Sequence, residues 1–157
     1  MDSVDFAKNL VKGKIAETIF AQMLRETKDF TVLEFGYEKI IPELVQEGCG
    51  LESLTVDTLR TAPDFAIINK KTKRVKLVEV KYQKSLWSEK VFEAATRMSQ
   101  SWNPSYLFVA TLDGFFFDEI EHIIKNKGAI PRLKHPQIKS EVQARYLKIL
   151  TDFEKNN

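Results

Sequence analysis

The chain predicts an α/β domain in which a mixed central sheet is covered by helices on both faces. Three observations carry that expectation. A long amphipathic stretch opens the chain, two β-rich runs joined by a polar turn occupy residues 64–68 and 75–82, and an apolar run extends from Tyr106 to Leu112. A strand that is apolar on both sides belongs in the middle of a sheet covered from two sides, and a helix with an apolar stripe needs another layer to bury it.

Residues from about Val4 to Arg25 read as one helix. Phe6, Leu10, Gly13, Glu17, Phe20 and Leu24 recur at steps of three and four, which sets them on one stripe. Glu17 stands in the middle of that stripe, and a charge facing a core needs a partner. Gly13, one turn earlier, removes a side chain where a strand or ligand could approach closely. Ala7, Val11, Ile15, Ala16, Ile19 and Met23 add a second apolar row, so the helix is expected to be buried over much of its girth. The alternative places Glu17 at the edge of the stripe, reaching water.

A strand is expected at 31–36, then an irregular or short helical segment over 37–61 that carries Pro42, Gly48 and Gly50. The hairpin follows. Its runs are rich in β-branched and aromatic residues, and Asn69 to Arg74 between them is polar. If the turn is centred between Lys71 and Thr72, partners have numbers that sum to 143, the sum of 71 and 72. Asp64 then faces Glu79, Ala66 faces Leu77 and Ile68 faces Val75. Alternation puts Glu79 and Lys81 on one face with Asp64, about 7 Å apart along the strand. Two carboxylates and an ammonium thus share one face of an apolar hairpin.

Adjacent buried carboxylates raise each other's pKa, so something positive must offset them. Lys81 is one candidate; a divalent cation held by oxygen ligands is another. The competing reading is a cross-strand ion pair on a solvated face, which contributes little.

Past the hairpin, a helix is expected at about 86–101, its stripe formed by Trp87, Val91, Ala94, Ala95, Met98 and Trp102. That spacing reads both tryptophans as packing residues rather than base-stacking platforms. Asp118 with Glu121, and Ser140 with Gln143, have capping-box spacing and would open two further helices. The last of these would bury Val142, Tyr146, Ile149, Leu150 and Phe153. Phe115, Phe116 and Phe117 read as core, or else as a dimer surface.

At 157 residues and 43% hydrophobic composition, the chain fits one domain over 1–157. No apolar run is long enough to span a membrane, Met1 to Asp5 lacks signal-peptide character, and Cys49 is the single cysteine. A cytoplasmic location is the expectation. His122 and His135 are too few and too far apart for a zinc pattern. Net charge is +2 but unevenly spread: residues 26–57 carry eight acids against two lysines, 64–90 carry eight bases against three acids, and 125–139 carry five bases and no acid. The basic stretches could flank the acidic site and hold a phosphate backbone; Lys70, Lys71, Lys73 and Arg74 could equally just solvate the hairpin tip.

A helix bearing Glu17, a strand, Pro63-Asp64 opening a second strand, and Glu79-Val80-Lys81 ending a third resemble the PD-(D/E)XK nuclease superfamily over about residues 4–112. The resemblance implies a restriction-endonuclease-like core of α-β-β-β-α-β order, here with extra C-terminal helices. It implies Mg²⁺ or Mn²⁺ held by Asp64, Glu79 and the Val80 carbonyl, with Lys81 orienting or activating the attacking water. Glu17 matches the acidic residue often found on the first helix, where it would bind a second ion or its water shell. A nucleic-acid partner follows, DNA favoured over RNA, with a homodimer open. The alternative function is a non-catalytic nucleic-acid- or protein-binding module that keeps the nuclease fold.

Overall fold

Asn69 fixes the register of the hairpin. Its side-chain oxygen accepts the N–H groups of Lys71 and Thr72 at 2.9 and 3.3 Å, its carbonyl accepts Lys73 N–H at 2.8 Å, and its own N–H donates to Arg74 at 2.9 Å. Such side-chain mimicry of a turn is what asparagine does well. The strands β2 (Phe65–Asn69) and β3 (Val75–Tyr82) then pair antiparallel, with Ala66 opposite Leu77 and Ile68 opposite Val75, as the position of the turn requires.

This computed structural model describes residues 2–36, 42, 46–48 and 58–156. Helix α1 spans Ser3–Thr27 and strand β1 spans Phe30–Glu34. After the hairpin come α2 (Ser88–Ser99), β4 (Tyr106–Thr111), β5 (Gly114–Glu119), α3 (Ile120–Lys125) and α4 (Ser140–Lys155). The sheet order is β1-β2-β3-β4-β5, all neighbours antiparallel except β3 and β4, which run parallel. A parallel pair needs a crossover, and α2 supplies it. The α-β-β-β-α-β order and the mixed, helix-flanked sheet match expectation. Most of the segment 37–61, with Cys49 and Gly50, lies outside the described residues.

Side-chain alternation divides the core in two. Val78, Val80, Phe108 and Phe115 join α1 and Leu150 of α4 on one face; Leu107, Val109 and Phe116 join α2 and α3 on the other. Every residue of β4 after Tyr106 is buried, as a strand covered on both sides should be. Strand β5 was not anticipated, although the placing of its phenylalanines in the core was. Among the described residues no helix is long and apolar enough to cross a membrane.

Several expectations about helices need correction. Only the C-terminal half of α1, from Ala16 to Leu24, is buried; Phe6, Leu10 and Val11 are 58%, 55% and 48% exposed, because the helix runs past the layer that would cover them. Neither capping box forms. Asp118 accepts Glu119 N–H at 2.8 Å and pairs with His122 at 3.4 Å, while Gln143 donates to the carbonyls of Leu133 and Ile138; α3 and α4 have no side-chain N-cap. Helix α4 buries Leu150 fully but leaves Ile149 51% exposed.

Two glycines should respond oppositely to alanine. A Cβ at Gly13 would meet nothing within 4 Å, so no close approach explains that glycine, and Gly13→Ala should stabilise by roughly 0.5–1 kcal/mol through helix propensity. Gly128 has φ +96°, and a Cβ there would run into the Ser88 carbonyl at the start of α2. Gly128→Ala should cost on the order of 1–3 kcal/mol; chemical denaturation of the two variants beside wild type measures both.

Candidate active site

Strand β2 begins at Phe65, opposite Val78, two residues too late to give Val80 a ladder partner. Asp64 fills the gap: its Oδ2 accepts the Val80 N–H at 2.8 Å. The Asp64 carbonyl is held in turn by the N–H groups of Phe35 and Gly36 at 2.9 and 3.2 Å, and Pro63 before it is fully buried. Both the backbone and the side chain of Asp64 are therefore fixed, at the end of the hairpin away from the turn.

Its neighbours are acidic. Asp64 stands within hydrogen-bonding range of Glu79 on β3 and of Glu17 on α1. Burial first, then Glu79, pushes the Asp64 carboxyl up to about 8, against the Val80 N–H, which favours the charged form. Glu17 is raised to about 6, chiefly by burial and then by Asp64, with Lys14 opposing at 3.3 Å. Glu17 thus takes the inward position the helical stripe assigns it, with a side chain 25% exposed.

The arrangement is a chain of carboxylates with Asp64 in the middle. Among the described residues, no three His, Cys, Asp or Glu side chains close on a single point as a metal cage. The donor chemistry nevertheless fits Mg²⁺ or Mn²⁺: hard carboxylate oxygens, with no imidazole or thiolate among them. Burial first, and then the neighbouring carboxylates, raises Asp64 and Glu17, and a bound cation would offset both. Asp64, Glu79 and Glu17 are the side chains that would hold such an ion, with the Val80 carbonyl available between Glu79 and Lys81.

Lys81 lies two residues beyond Glu79 on the same side of β3, opposite Val109 of β4. It lines a cleft of about 760 Å³ between the N-terminal half of α1 and the start of α2, with Leu107 and Val109 at its base. Lys12, Lys84, Lys90 and Arg97 line the same cleft, and Glu93 is its acidic member. Lys12 is tied to Glu154 at 2.9 Å and Lys90 to Glu93 at 3.3 Å; for Lys81, Lys84 and Arg97 the described residues provide no ion pair. Lys70, Lys71, Lys73 and Arg74 sit at the opposite end of the hairpin, exposed around the turn, so they solvate the tip. His122 is exposed, and His135 packs edge-on against Phe30 at 5.5 Å.

Sequence reasoning did not find Lys12, Arg97 or the exposure of Trp87. Lys12 lies on the row of Ala16, Ile19 and Met23, at steps of four, three and four, where periodicity reads core and gives no signal of a cleft. Trp87 falls on the apolar stripe of α2 by spacing yet is 55% exposed, because it is the N-cap rather than a residue within the helix. Trp102 is the packing residue of the pair, donating its indole N–H to the Thr58 carbonyl at 3.0 Å and lying edge-on to Phe35.

No family model matches the chain, and no curated protein is similar to it. Among solved structures it is similar to Hjc of Archaeoglobus fulgidus, a Holliday junction resolvase from an archaeal hyperthermophile. The identity is 14%, the TM-score 0.42, and the likeness covers 88% of this chain and 99% of that one. A likeness so distant carries no argument about chemistry, which rests on the residues of this chain.

The carboxylates give the metal-free protein a distinctive pH profile. Asp64 holds a proton in the folded state up to about 8 but, once unfolded, only up to its ordinary value of 3.8. Between those limits the folded state binds more protons than the unfolded one, so stability falls as pH rises. In EDTA, the free energy of unfolding should drop by a few kcal/mol from about pH 4 to about pH 8, and Asp64→Asn should flatten the slope. Denaturant titrations across that range would show it, and a pH-independent wild type would contradict the assigned burial.

Proposed function

We propose that this chain is a metal-dependent nuclease hydrolysing phosphodiester bonds of nucleic acid, with DNA the favoured substrate. The observation that carries the reading is the position of Lys81, two residues beyond Glu79 on the same side of β3 and in the lining of a cationic cleft. An acidic site suits a divalent ion; a cleft lined by lysines and an arginine suits the phosphate backbone that the ion would act on.

Asp64, Glu79 and Glu17, with the Val80 carbonyl, would hold Mg²⁺ or Mn²⁺, which when bound polarises a phosphate oxygen and lowers the pKa of a coordinated water. Lys81 would donate hydrogen bonds to the attacking oxygen or to the charge developing on phosphorus. The Val80 N–H keeps Asp64 aimed between Glu17 and Glu79 while the ion comes and goes. Lys84 and Arg97, neither of them in an ion pair among the described residues, would bind flanking phosphates at little cost in broken ion pairs. Among the described residues no three carboxylates close on one point, and the second reading is a binding module that keeps this fold without turnover.

Cleavage separates the two. Linear duplex, single strand, branched junction and RNA, each incubated with Mg²⁺, Mn²⁺ or EDTA, should reveal metal-dependent cutting by wild type. Lys81→Ala should lower turnover on the order of 10²–10³-fold while preserving the rise in melting temperature that Mn²⁺ gives the folded state. Asp64→Ala should remove both. Undiminished cleavage by Lys81→Ala would refute the chemistry, and a folded wild type that cuts nothing in the panel would favour the binding module.

A further inference from the structure

We infer that Trp87 is a stacking platform for an unpaired nucleotide in the cleft beside Lys81, so that the substrate class is nucleic acid with exposed bases rather than continuous duplex. The inference rests on the nuclease reading for the chemical class of ligand, and on four observations of its own.

The first is exposure. Trp87 leaves 55% of its surface to solvent while lining the same cleft as Lys81. Binding clefts are commonly lined by aromatic rings beside a few polar groups, and Trp87 is a ring of that kind. The second is the contrast with Trp102, whose indole N–H has two protein partners, at 3.0 and 3.1 Å. A buried tryptophan ordinarily satisfies its N–H in that way; among the described residues the Trp87 indole N–H has no such bond, which leaves it available to a ligand.

The third observation is rigidity. Gln83 accepts the Trp87 backbone N–H through Oε1 at 2.7 Å, and the Trp87 carbonyl accepts Val91 N–H at 3.0 Å in the first turn of α2. Gln83 itself is fixed to the sheet by its N–H on the Ala110 carbonyl at 3.0 Å. The backbone that carries the ring is thus anchored at both ends, only six residues from Lys81 in the chain, so a docking base orders the ring's side-chain angles and not the connection. The fourth is charge. Lys90 Nζ lies 5.3 Å from the ring centroid, and Lys84 and Lys81 share the cleft. An aromatic ring among cations is the pairing that recognises single strands, the ring taking the face of a base and the cations the adjoining phosphates.

A base inside continuous duplex has both faces covered by its neighbours and cannot offer one to an indole without unstacking. The platform therefore discriminates by strandedness. Since every base has a π-face, it does so with little regard to sequence.

The test is equilibrium binding in EDTA, where hydrolysis cannot occur, of wild type, Trp87→Ala and Trp87→Phe. The probes are an oligothymidylate, an oligouridylate, an abasic oligomer of equal length and a blunt duplex. Trp87→Ala should lose about tenfold in affinity for the two pyrimidine oligomers and under about twofold for the abasic oligomer and the duplex, where no stacking is removed. Trp87→Phe, which keeps a ring, should recover most of the loss. Oligothymidylate should quench the tryptophan fluorescence of wild type but not of Trp87→Ala, in which only Trp102 remains to report. Equal losses on abasic and base-bearing oligomers, no loss at all, or no binding of single strands by wild type would each overturn the inference. Because this assay involves no cleavage, its failure leaves the Lys81→Ala cleavage result standing, and the converse holds as well.

Discussion

The hydrogen bond from the Val80 N–H to Asp64 Oδ2 organises the functional end of this molecule. It replaces a ladder bond that β2 cannot supply, since that strand starts two residues too late, and so completes the pairing of β3 with a side chain. A carboxylate recruited to finish a sheet cannot swing away from its neighbours. It is held against Glu79 and Glu17, and the cost of that confinement appears as the raised pKa of Asp64 and Glu17. Structural need and chemical potential meet in one group: the bond that holds Asp64 in place also keeps it in a position unfavourable for an unaided anion and favourable for a cation ligand.

The surrounding charge follows from the topology. Because β3 and β4 are parallel, the chain must leave β3 at the Lys81 end and start α2 there before crossing back. Lys81, Lys84, Trp87 and Lys90 are consecutive landmarks of that departure, which is why they collect around one cleft. The acidic residues come from a different source, the start of the hairpin and the middle of α1. Two charge populations of opposite sign thus meet at β3 without neutralising each other, apart from local pairs such as Lys12 with Glu154 and Lys90 with Glu93. The exposed Lys90–Glu93 pair is weak and screened by salt, so a phosphate backbone can compete for Lys90.

How much of this was legible in the sequence depended on whether a local rule decided the matter. The hairpin register was legible because turn position fixes pairing and a one-residue slip would reverse every side chain. With it came the closeness of Asp64 to Glu79 and the place of Lys81 two residues farther along β3. Glu17 was legible because its place on the helix stripe is a matter of angle alone. The exposure of Phe6 and Leu10 was not, since periodicity tells which residues share a face but not where the covering layer ends. The capping boxes failed for a related reason: Gln143 found the carbonyls of Leu133 and Ile138, partners that no short-range pattern reveals. Trp87 was misjudged because stripe spacing was extended by one residue past the true start of the helix.

The long, half-covered α1 is best understood from its two ends. Its C-terminal half supplies Ile19, Phe20, Met23 and Leu24 to the core and sets Glu17 at the boundary where the core gives way to the site. Its N-terminal half contributes little burial, yet brings Asn9 and Lys12 to the wall of the cleft. Lys12 is anchored there by Glu154 of α4 at 2.9 Å and lies over the Tyr82 ring at 5.8 Å, and the Tyr82 hydroxyl donates to the same Glu154 at 3.1 Å. Glu154 therefore couples three elements, α1, β3 and α4, at one margin of the cleft. The Lys12 and Glu154 side chains are only 18% and 16% exposed, and their pairing restricts where the free half of α1 can stand relative to β3. A helix shortened to its buried half would keep the core and Glu17 while losing that wall, so the extension of α1 is explained by the cleft rather than by folding.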